Sequence, residues 1–259
     1  MATIKPAALV VGATGALGKA LTRDLLQTGA FRRVTTIGRR PVEFPEGSKV
    51  PTENLVQIIV DFENLEAHRK AFRGHDIVFG TLGITRRLAG SPENFVKIDQ
   101  GYIVNSAKIA AEENPGNDEG ALSPIHYVYC SSVGANANSP FLYMRSKGET
   151  ENALADKCGF SRVTIVRPSG LDVEEPRARG NYWYETLIFN YITGPLNWMG
   201  FNASAPVSVL AKGMRRAAIG DVPEELGVKE MRRANGTILS FLDPKQLIDL
   251  GKGIGLAER

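Results

Sequence analysis

The feature that most constrains the fold is an alternation of short apolar runs with segments of helical period over the first two thirds of the chain. Apolar runs typical of strands lie at residues 7–11, 34–37, 55–60, 77–79, 125–130 and 163–166, and segments of helical period lie at 16–28, 65–72, 91–113 and 142–156. These runs are nearly continuous in apolar residues, which is typical of strands covered on both faces. The order predicts an α/β fold, a doubly wound parallel sheet with helices on both faces.

The alternation stops after Arg167, and the rest of the chain has a different pattern. It shows helical pieces near 209–219 and 245–250 and one strand-like run at 237–241. We expect residues 171–259 to form a small cap over the carboxyl edge of the sheet, where doubly wound folds bind ligands. A chain of 259 residues fits one large domain or two modest ones, and the strand pattern favours a single domain over 1–259.

Composition excludes several classes of protein. Hydrophobic residues make up 43% and charged residues 23%, and the net charge is +3 without a basic tail, so nucleic acid binding is not expected. Two cysteines exclude a disulfide framework and favour a reducing compartment. The N-terminus resembles neither a signal peptide nor a transit peptide, and no apolar run reaches the ~18 residues of a membrane span. We therefore expect a cytoplasmic protein without a transmembrane segment.

Three glycines, Gly12, Gly15 and Gly18, lie between the first strand and the first helix. Glycines at such a turn let the backbone approach a pyrophosphate, whose charge the helix N-terminus stabilises. The spacing GxxGxxG differs from the dinucleotide fingerprint GxGxxG, and a turn needed only for close helix–strand packing stays open as the alternative. The phosphate loop of nucleotide triphosphatases is not matched, because Ala13 and Ala20 occupy two of its required positions. We interpret the loop as a phosphate-binding turn for a dinucleotide.

The end of the second strand indicates which dinucleotide would be bound. An acidic residue there would bind the ribose 2′-hydroxyl of NAD, but Arg39 and Arg40 stand at this place. Guanidinium groups suit a 2′-phosphate through charge-assisted hydrogen bonds, which favours NADP(H) over NAD. A pair of solvated surface arginines is the alternative. Asp61, just past the third strand, would accept a hydrogen bond from an adenine amino group, and the backbone of 81–83 would line the cofactor.

A tyrosine and a lysine begin the helix that follows the fifth strand. Tyr143 and Lys147 are four positions apart and therefore share a helix face. A lysine ammonium beside a phenol favours the phenolate, so the tyrosine would exchange a proton with a substrate oxygen as general acid or base. Ser131 and Ser132 close the preceding strand and would hold that oxygen by a hydrogen bond. The YxxxK spacing alone is frequent by chance, and a purely structural role is the alternative.

Together these motifs resemble the short-chain dehydrogenase/reductase superfamily. They are most similar to one atypical branch, the Tat-interacting-protein oxidoreductase family with its fungal mitochondrial outer-membrane members. The similar segments are residues 34–40, 60–65, 72–76, 82–86, 141–149 and 167–170. The resemblance implies a Rossmann-type fold that binds NADP(H) and a small carbonyl compound. It also implies a peripheral position on the cytosolic face of the mitochondrial outer membrane, and regulatory protein partners.

The resemblance assigns roles to individual residues of this chain. It implies that Tyr143 is the proton donor, that Lys147 binds the nicotinamide ribose and the tyrosine, and that Ser132 is the oxyanion partner. It places Arg167 and Pro168 near the nicotinamide. The full set of residues expected to contact the cofactor is Gly12, Thr14, Gly15, Ala16, Leu17, Gly18, Arg39, Arg40, Asp61, Phe62, Thr81, Leu82, Gly83, Lys147, Arg167 and Pro168.

An uncharged stretch, residues 186–211, supports two interpretations. It contains several aromatic residues and is favoured as the wall of a substrate pocket. Because Lys212, Arg215 and Arg216 follow it, a membrane-surface contact is the alternative. The three histidines have no paired spacing, so no metal site is predicted. Cys130 precedes the Ser-Ser pair and is interpreted as a buried thiol.

Two functions of different class follow from these observations. The first is an NADPH-dependent carbonyl reductase with a Ser-Tyr-Lys site, favoured by the Tyr143–Lys147 pair. The second is an NADPH-binding regulatory or scaffold protein with little turnover. It is favoured by the gap of 11 positions between Ser132 and Tyr143, which is shorter than usual in the superfamily, and by the regulatory roles assigned to family members.

Overall fold

The computed structural model describes residues 4–45, 47–174 and 204–255. Its strands are β1 (Ala7–Val11), β2 (Arg33–Gly38), β3 (Leu55–Ile59), β4 (Ile77–Gly80), β5 (Ser123–Cys130), β6 (Phe160–Val166), β7 (Leu171–Asp172), β8 (Ala205–Pro206), β9 (Glu230–Arg232) and β10 (Ile238–Leu242). Its α-helices are α1 (Ala16–Gln27), α2 (Arg86–Ala89), α3 (Pro92–Val96), α4 (Tyr102–Glu112), α5 (Leu142–Asp156), α6 (Val207–Ala218) and α7 (Pro244–Lys252). A π-helical turn, Lys97–Gly101, joins α3 to α4, and 3₁₀ helices lie at Leu65–Phe72 and Glu224–Leu226.

The described residues form an eight-stranded sheet in the order β3-β2-β1-β4-β5-β6-β10-β9. Seven strands are parallel, and β9 pairs antiparallel with β10 at one edge. The strand order reverses direction at β1, which lies between β2 and β4. In such a sheet the crevice beyond the carboxyl ends of these strands is the usual ligand site. The predicted doubly wound α/β fold is confirmed.

Helices cover both faces of the sheet, which explains why its central strands are mostly apolar. All five residues of β1 are fully buried. On one face, the core joins α1, α6 and α7 through Leu21, Leu210 and Leu247. On the other face, the 3₁₀ helix Leu65–Phe72 and α4 contribute to a second core. Two layers of helices therefore hold the carboxyl ends of the strands in register.

The helix predicted over 91–113 is regular only in part. Ser91 caps it through its side chain, which accepts a hydrogen bond from the Asn94 amide, and Pro92 occupies its first turn. Lys97–Gly101 then adopts a π-helical turn, which changes the direction in which the following side chains point. This turn brings Asp99 into the protein interior, where its side chain is 1% exposed.

The structure describes residues 205–252 of the region expected to form a cap, and these lie in and against the main sheet. β10 pairs in parallel with β6, so Leu239 lies opposite Val163, and the main sheet continues through it. The helices α6 and α7 pack on the same face as α1. Residues 205–252 thus complete the sheet and one of its helical layers, and residues 175–203 of the expected cap lie outside the described residues. β10 pairs with the edge of β6, and α6 and α7 cover one face of the sheet. A short apolar run in the sequence indicates neither of these long-range contacts.

The uncharged stretch 186–211 lies partly outside the described residues, which resume at Ser204. Its described end forms β8 and the first turn of α6, where Val207 and Leu210 are buried in the core rather than lining a pocket. Two of the three cations that follow are engaged within the protein. Arg215 pairs with Asp24, and Arg216 donates to the Leu250 carbonyl.

Candidate active site

The glycine loop is packed more closely than any side chain allows. Gly12 has φ +95°, and a Cβ on it would lie 2.4 Å from the Leu82 nitrogen. A Cβ on Gly18 would lie 2.2 Å from the Gly12 carbonyl oxygen and 2.7 Å from Thr81 Oγ1. These two glycines are therefore required for the packing of α1 against the ends of β1 and β4. The alternative interpretation, in which the glycines serve close helix–strand packing, is therefore correct for Gly12 and Gly18.

Gly15 differs from its two neighbours in the motif. It is exposed, and a Cβ on it would approach only the Gly12 carbonyl oxygen, at 3.3 Å. Gly15 is also the N-cap of α1, and the helix begins there without a side-chain cap and without an acidic residue in its first turn. The backbone N–H groups and partial positive charge of the helix N-terminus are thus open to an anion. The cradle fits a pyrophosphate.

The remaining loop residues contribute mainly backbone to this cradle. Thr14 is exposed and Ala16 half-buried, whereas the side chain of Leu17 is part of the core. Thr81 donates from Oγ1 to the Val11 carbonyl at 2.9 Å and so ties the end of β4 to the end of β1. Leu82 follows, half-buried against the second core. The ends of the two central strands are thereby fixed around the loop.

At the end of β2 the structure places two exposed arginines. The guanidinium groups of Arg39 and Arg40 have no ion-pair or hydrogen-bond partner among the described residues. Asp61 is exposed as well, and its Oδ1 accepts a hydrogen bond from the Glu63 amide at 2.9 Å. Phe62 is buried and stacks on Tyr102 with ring centroids 5.0 Å apart. The end of β2 thus presents two cations that no acid among the described residues pairs with.

Lys147 is buried at the centre of the site. Its Nζ donates a hydrogen bond to the Tyr129 hydroxyl at 3.1 Å and lies 3.1 Å from Asp99 Oδ1, an ion-pair contact outside hydrogen-bond alignment. Gly83 lies over this pair, because a Cβ on it would be 3.8 Å from Nζ and 3.4 Å from Asp99 Oδ1. The exposed backbone at Gly83 therefore separates the buried cation from solvent.

The tyrosine and the serines of the predicted site occupy different environments. Tyr143 is 41% exposed, and Lys147 Nζ is 5.9 Å from the centre of its ring. The i,i+4 spacing does place the two side chains on one helix face, but they are not hydrogen-bonded to each other. Ser132 is buried and donates to the carbonyl of Val133 at 3.3 Å. The Oγ of Ser131 is buried without a hydrogen-bond partner among the described residues.

Arg167 is engaged inside the protein. Its guanidinium binds the Glu151 carboxylate through two hydrogen bonds and stacks on the Phe241 ring at 4.5 Å. Pro168 is buried, and its carbonyl accepts a hydrogen bond from the Val133 amide at 3.0 Å. The described contacts therefore give Arg167 a role in joining α5 to the sheet. The backbone around Pro168 aligns the segment that follows the two serines.

Burial and charge set the protonation states at this site. Burial lowers the pKa of Lys147, but the Coulomb interactions with Tyr129 and Asp99 outweigh it and raise that pKa above its ordinary value. Burial raises the pKa of the Tyr129 phenol and raises the pKa of the Cys130 thiol to about 11. At neutral pH the site therefore contains a lysine cation, a neutral phenol and an unreactive thiol.

Two of these residues were not expected from the sequence. Asp99 is a single acid on an otherwise apolar helix face, and Tyr129 lies in an apolar strand two positions before the serine pair. The signal that could have identified Asp99 from the sequence was an acid on an otherwise apolar helix face. Within the described ranges, no group of three or more histidine, cysteine and acidic side chains is placed to hold a metal ion. Within the same described ranges, every helix is too short or too polar to cross a membrane.

Comparison with known proteins decides the family. Residues 12–185 match the family model described as NAD(P)H-binding, which covers well over half of the chain. The chain belongs to this NAD(P)H-binding family. Within it, the chain is 35% identical over 201 residues to protein HTATIP2 of Rattus norvegicus, covering 78% of this chain and 76% of that protein. The resemblance to the Tat-interacting-protein family is thus confirmed.

Fungal relatives extend the similarity. The chain is 36% identical over 172 residues to the mitochondrial protein FMP52 of Candida albicans, covering 66% of this chain and 69% of that protein. Among solved structures, MoeE5 in complex with UDP-glucuronic acid and NAD gives a TM-score of 0.58 at 16% identity, covering 91% of this chain and 75% of that chain. At this identity the likeness shows the shared Rossmann-type fold. Members of the NAD(P)H-binding family carry their nicotinamide cofactor on such a fold.

Proposed function

We propose that the protein is an NADPH-dependent oxidoreductase of the carbonyl reductase type. The observation that carries this proposal is the placement of a half-exposed Tyr143 beside a fully buried, charged Lys147 at the carboxyl edge of the sheet. The exposed Tyr143 side chain is placed to exchange a proton with a substrate oxygen, and the buried ammonium lies on the inner side of its ring. The substrate class is a small carbonyl compound.

The residues of the chain divide the work of such a reaction. The nicotinamide, when bound, supplies a hydride to the carbonyl carbon. Tyr143 donates its phenolic proton to the carbonyl oxygen, and Lys147 holds the ribose and the phenol in place. Ser132 is assigned to the carbonyl oxygen, for which its hydroxyl must leave the Val133 carbonyl that it contacts in this structure. Phe95 packs against the Tyr143 ring, with centroids 6.1 Å apart, and limits its motion.

The choice of NADPH rests on the second strand. Arg39 and Arg40 are exposed at its end, and neither is engaged by an acid among the described residues. Two unpaired guanidinium groups would meet the 2′-phosphate with charge-assisted hydrogen bonds. The open N-terminus of α1 would hold the pyrophosphate, and Asp61 has a free carboxylate oxygen for an adenine amino group.

The experiment that tests the function compares Tyr143→Phe with the wild type. Both are screened against a library of small carbonyl compounds by following the absorbance of NADPH, and NADPH affinity is measured by fluorescence titration. We expect the variant to bind NADPH with unchanged affinity and to lose at least about a hundredfold in turnover, because only the proton donor is removed. If both proteins bind NADPH tightly and are equally slow on every compound, the reductase function is wrong.

That negative outcome would favour the second function, an NADPH-binding regulatory or scaffold protein. One observation supports it: the Ser132 hydroxyl is buried and directed to a backbone carbonyl, and Tyr143 has no hydrogen bond to Lys147. Both catalytic hydrogen bonds are thus unformed in this structure, although such bonds often tighten only when ligands bind.

The relatives also suggest where the protein acts. The fungal relatives are named as mitochondrial, so we propose a peripheral position on the cytosolic face of the mitochondrial outer membrane, with regulatory protein partners. Among the basic residues after the uncharged stretch, Lys212 is exposed, while Arg215 and Arg216 are engaged. Flotation with anionic liposomes tests direct lipid contact; absence of binding would leave a protein partner as the means of attachment.

A further inference from the structure

The hydrogen bond from Lys147 to Tyr129 has no part in the reaction described above. Tyr129 lies on β5, is fully buried, and points to the same face of the sheet as Tyr127, two positions earlier. Its hydroxyl is therefore out of reach of a substrate. It nevertheless meets the one lysine cation of the proposed site, at 3.1 Å from Nζ.

Asp99 completes the surroundings of the cation in a different way. Its carboxylate is 1% exposed and lies 3.1 Å from Nζ, but it is not aligned for a hydrogen bond from the ammonium. Asp99 thus balances the charge of Lys147 inside the protein, where an unpaired ammonium would be costly. The direction of the ammonium is set by Tyr129, which accepts the aligned hydrogen bond.

We propose that Tyr129 is a positioning residue that fixes the Lys147 ammonium for the cofactor, with Asp99 as its counter-ion. An ammonium has three N–H donors, and one is held by Tyr129. With Nζ fixed between β5 and the π-helical turn, a remaining N–H is left for the nicotinamide ribose, which we place beside Gly83, the exposed residue nearest to this buried pair. This inference rests on the proposed function. By holding Nζ before the cofactor binds, Tyr129 would restrict the long lysine side chain in advance, so that less conformational freedom is lost on binding.

The chain contains a matched control for this idea. Tyr127 is equally buried on the same strand, but its hydroxyl has no hydrogen-bond partner among the described residues. Tyr129→Phe and Tyr127→Phe therefore remove the same atom from the same kind of environment. Only the first variant removes a contact to Lys147.

The first measurement observes Lys147 without any catalysis. Lysine-selective ¹H–¹⁵N NMR detects ammonium groups that exchange slowly with water, and the Lys147 signal is assigned by its absence in Lys147→Arg. We expect a protected signal in the wild type and in Tyr127→Phe, and faster exchange in Tyr129→Phe. Thermal unfolding of both variants checks that the fold is retained.

The second measurement is NADPH affinity, followed by kcat and KM with any carbonyl compound that the wild type reduces. We expect Tyr129→Phe to bind NADPH about tenfold more weakly and to lose kcat with the carbonyl KM unchanged, because one hydrogen bond to a charged group is removed. Tyr127→Phe should match the wild type in both.

The outcomes separate this inference from the function on which it rests. Equal ammonium exchange and equal NADPH affinity in the two variants would overturn it. Faster exchange in Tyr129→Phe with unchanged NADPH affinity and kcat would also overturn it, since Lys147 would then be held for packing alone. If the wild type binds no NADPH, the proposed function fails, and the exchange comparison still decides whether Tyr129 holds the lysine.

Discussion

Single residues decide how closely the strands and the first helix meet at the site. Gly12 and Gly18 are each enclosed by backbone atoms at less than van der Waals distance from an added Cβ, and Gly15 is not. The same motif therefore combines two requirements. Two glycines serve packing, and the third leaves room for a ligand at the helix N-terminus.

This division predicts different results for two alanine substitutions. Gly18→Ala places a methyl group 2.2 Å from the Gly12 carbonyl oxygen, so we expect a loss of about 1–3 kcal/mol in the free energy of unfolding. Gly15→Ala meets its nearest atom at 3.3 Å, and we expect a stability near that of the wild type with weaker NADPH binding. Urea unfolding and fluorescence titration measure the two effects. Equal stability of both variants would contradict the packing role of Gly18.

The cofactor preference is also decided by single side chains. Arg39→Ala removes a guanidinium that has no partner among the described residues, so the fold should be unaffected. We expect NADPH affinity to fall about tenfold or more and NADH affinity to change little, because only NADPH has the 2′-phosphate. Titration with both cofactors measures this. Arg69→Ala, remote in the chain and paired with three glutamates, controls for net charge. Equal weakening of both cofactors by Arg39→Ala would exclude the assignment.

At the scale of helices, an ion pair joins α1 to α6 on one face of the sheet. Arg215 Nε lies 2.6 Å from Asp24 Oδ2, and the two side chains are 13% and 12% exposed. The pair connects the helix that opens the proposed cofactor site to a helix from the last third of the chain. It is therefore a contact that only the completed fold provides.

Removing one partner of this pair should be more costly than removing a surface partner. We expect Arg215→Met to lower the free energy of unfolding by about 3 kcal/mol, because Asp24 is left as a mostly buried, unpaired charge. Arg233, which pairs with Asp156 at about one third exposure, is the control. Arg233→Met should cost less than about 1 kcal/mol. Denaturant unfolding measures both losses of stability. Equal losses in the two variants would contradict the claim that the α1–α6 pair stabilises the fold more than the surface pair.

The π-helical turn is the element that shapes the site most. Asp99 lies within the π-helical turn Lys97–Gly101, and from there its carboxylate faces Lys147 at 3.1 Å. The turn thus converts an acid on a helix into the counter-ion of the proposed catalytic lysine. Neither the turn nor this contact follows from helical periodicity.

For the molecule as a whole, a buried histidine couples stability to pH. His126 on β5 contacts the Ala218 carbonyl through Nδ1 and Thr164 through Nε2, so it links the sheet to the end of α6. Because the carbonyl only accepts, Nδ1 carries the proton, and Nε2 accepts from the Thr164 hydroxyl. Burial lowers the pKa of His126 to about 4, with a smaller opposing contribution from the Ala218 hydrogen bond and a further lowering by Arg162.

A pKa below that of the unfolded chain means that the unfolded state binds the proton more readily. The stability that His126 contributes is fully present above the ordinary histidine pKa near 6.5, and it is lost as pH falls from there toward about 4. Between pH 7 and pH 5 we expect a loss of roughly 2 kcal/mol from this group. Urea unfolding of the wild type and His126→Gln at both pH values measures it. His75, whose pKa burial also lowers, is present in both proteins, so an equal pH dependence in the two would contradict the assignment to His126.

Much of the fold was predictable because its signals are local. Apolar runs placed β1 at 7–11 and α5 at 142–156 with the bounds that the structure has. The eight residues at 65–72 were predicted as a short helix and form a 3₁₀ helix, a type that their amphipathic pattern does not distinguish from an α-helix. The way in which residues 205–252 add to the sheet was not predictable, because β10, α6 and α7 take their positions from a sheet edge that no local pattern describes.

The sequence by itself determined the doubly wound sheet, the position of the glycine loop and the shared helix face of Tyr143 and Lys147, because each depends on neighbours a few positions apart. Only the tertiary structure decided what surrounds Lys147. Tyr129 and Asp99 come from a strand and a π-helical turn that are far from α5 in the chain. The charge of a buried lysine depends on which groups share its low-dielectric surroundings, and folding alone brings those groups together.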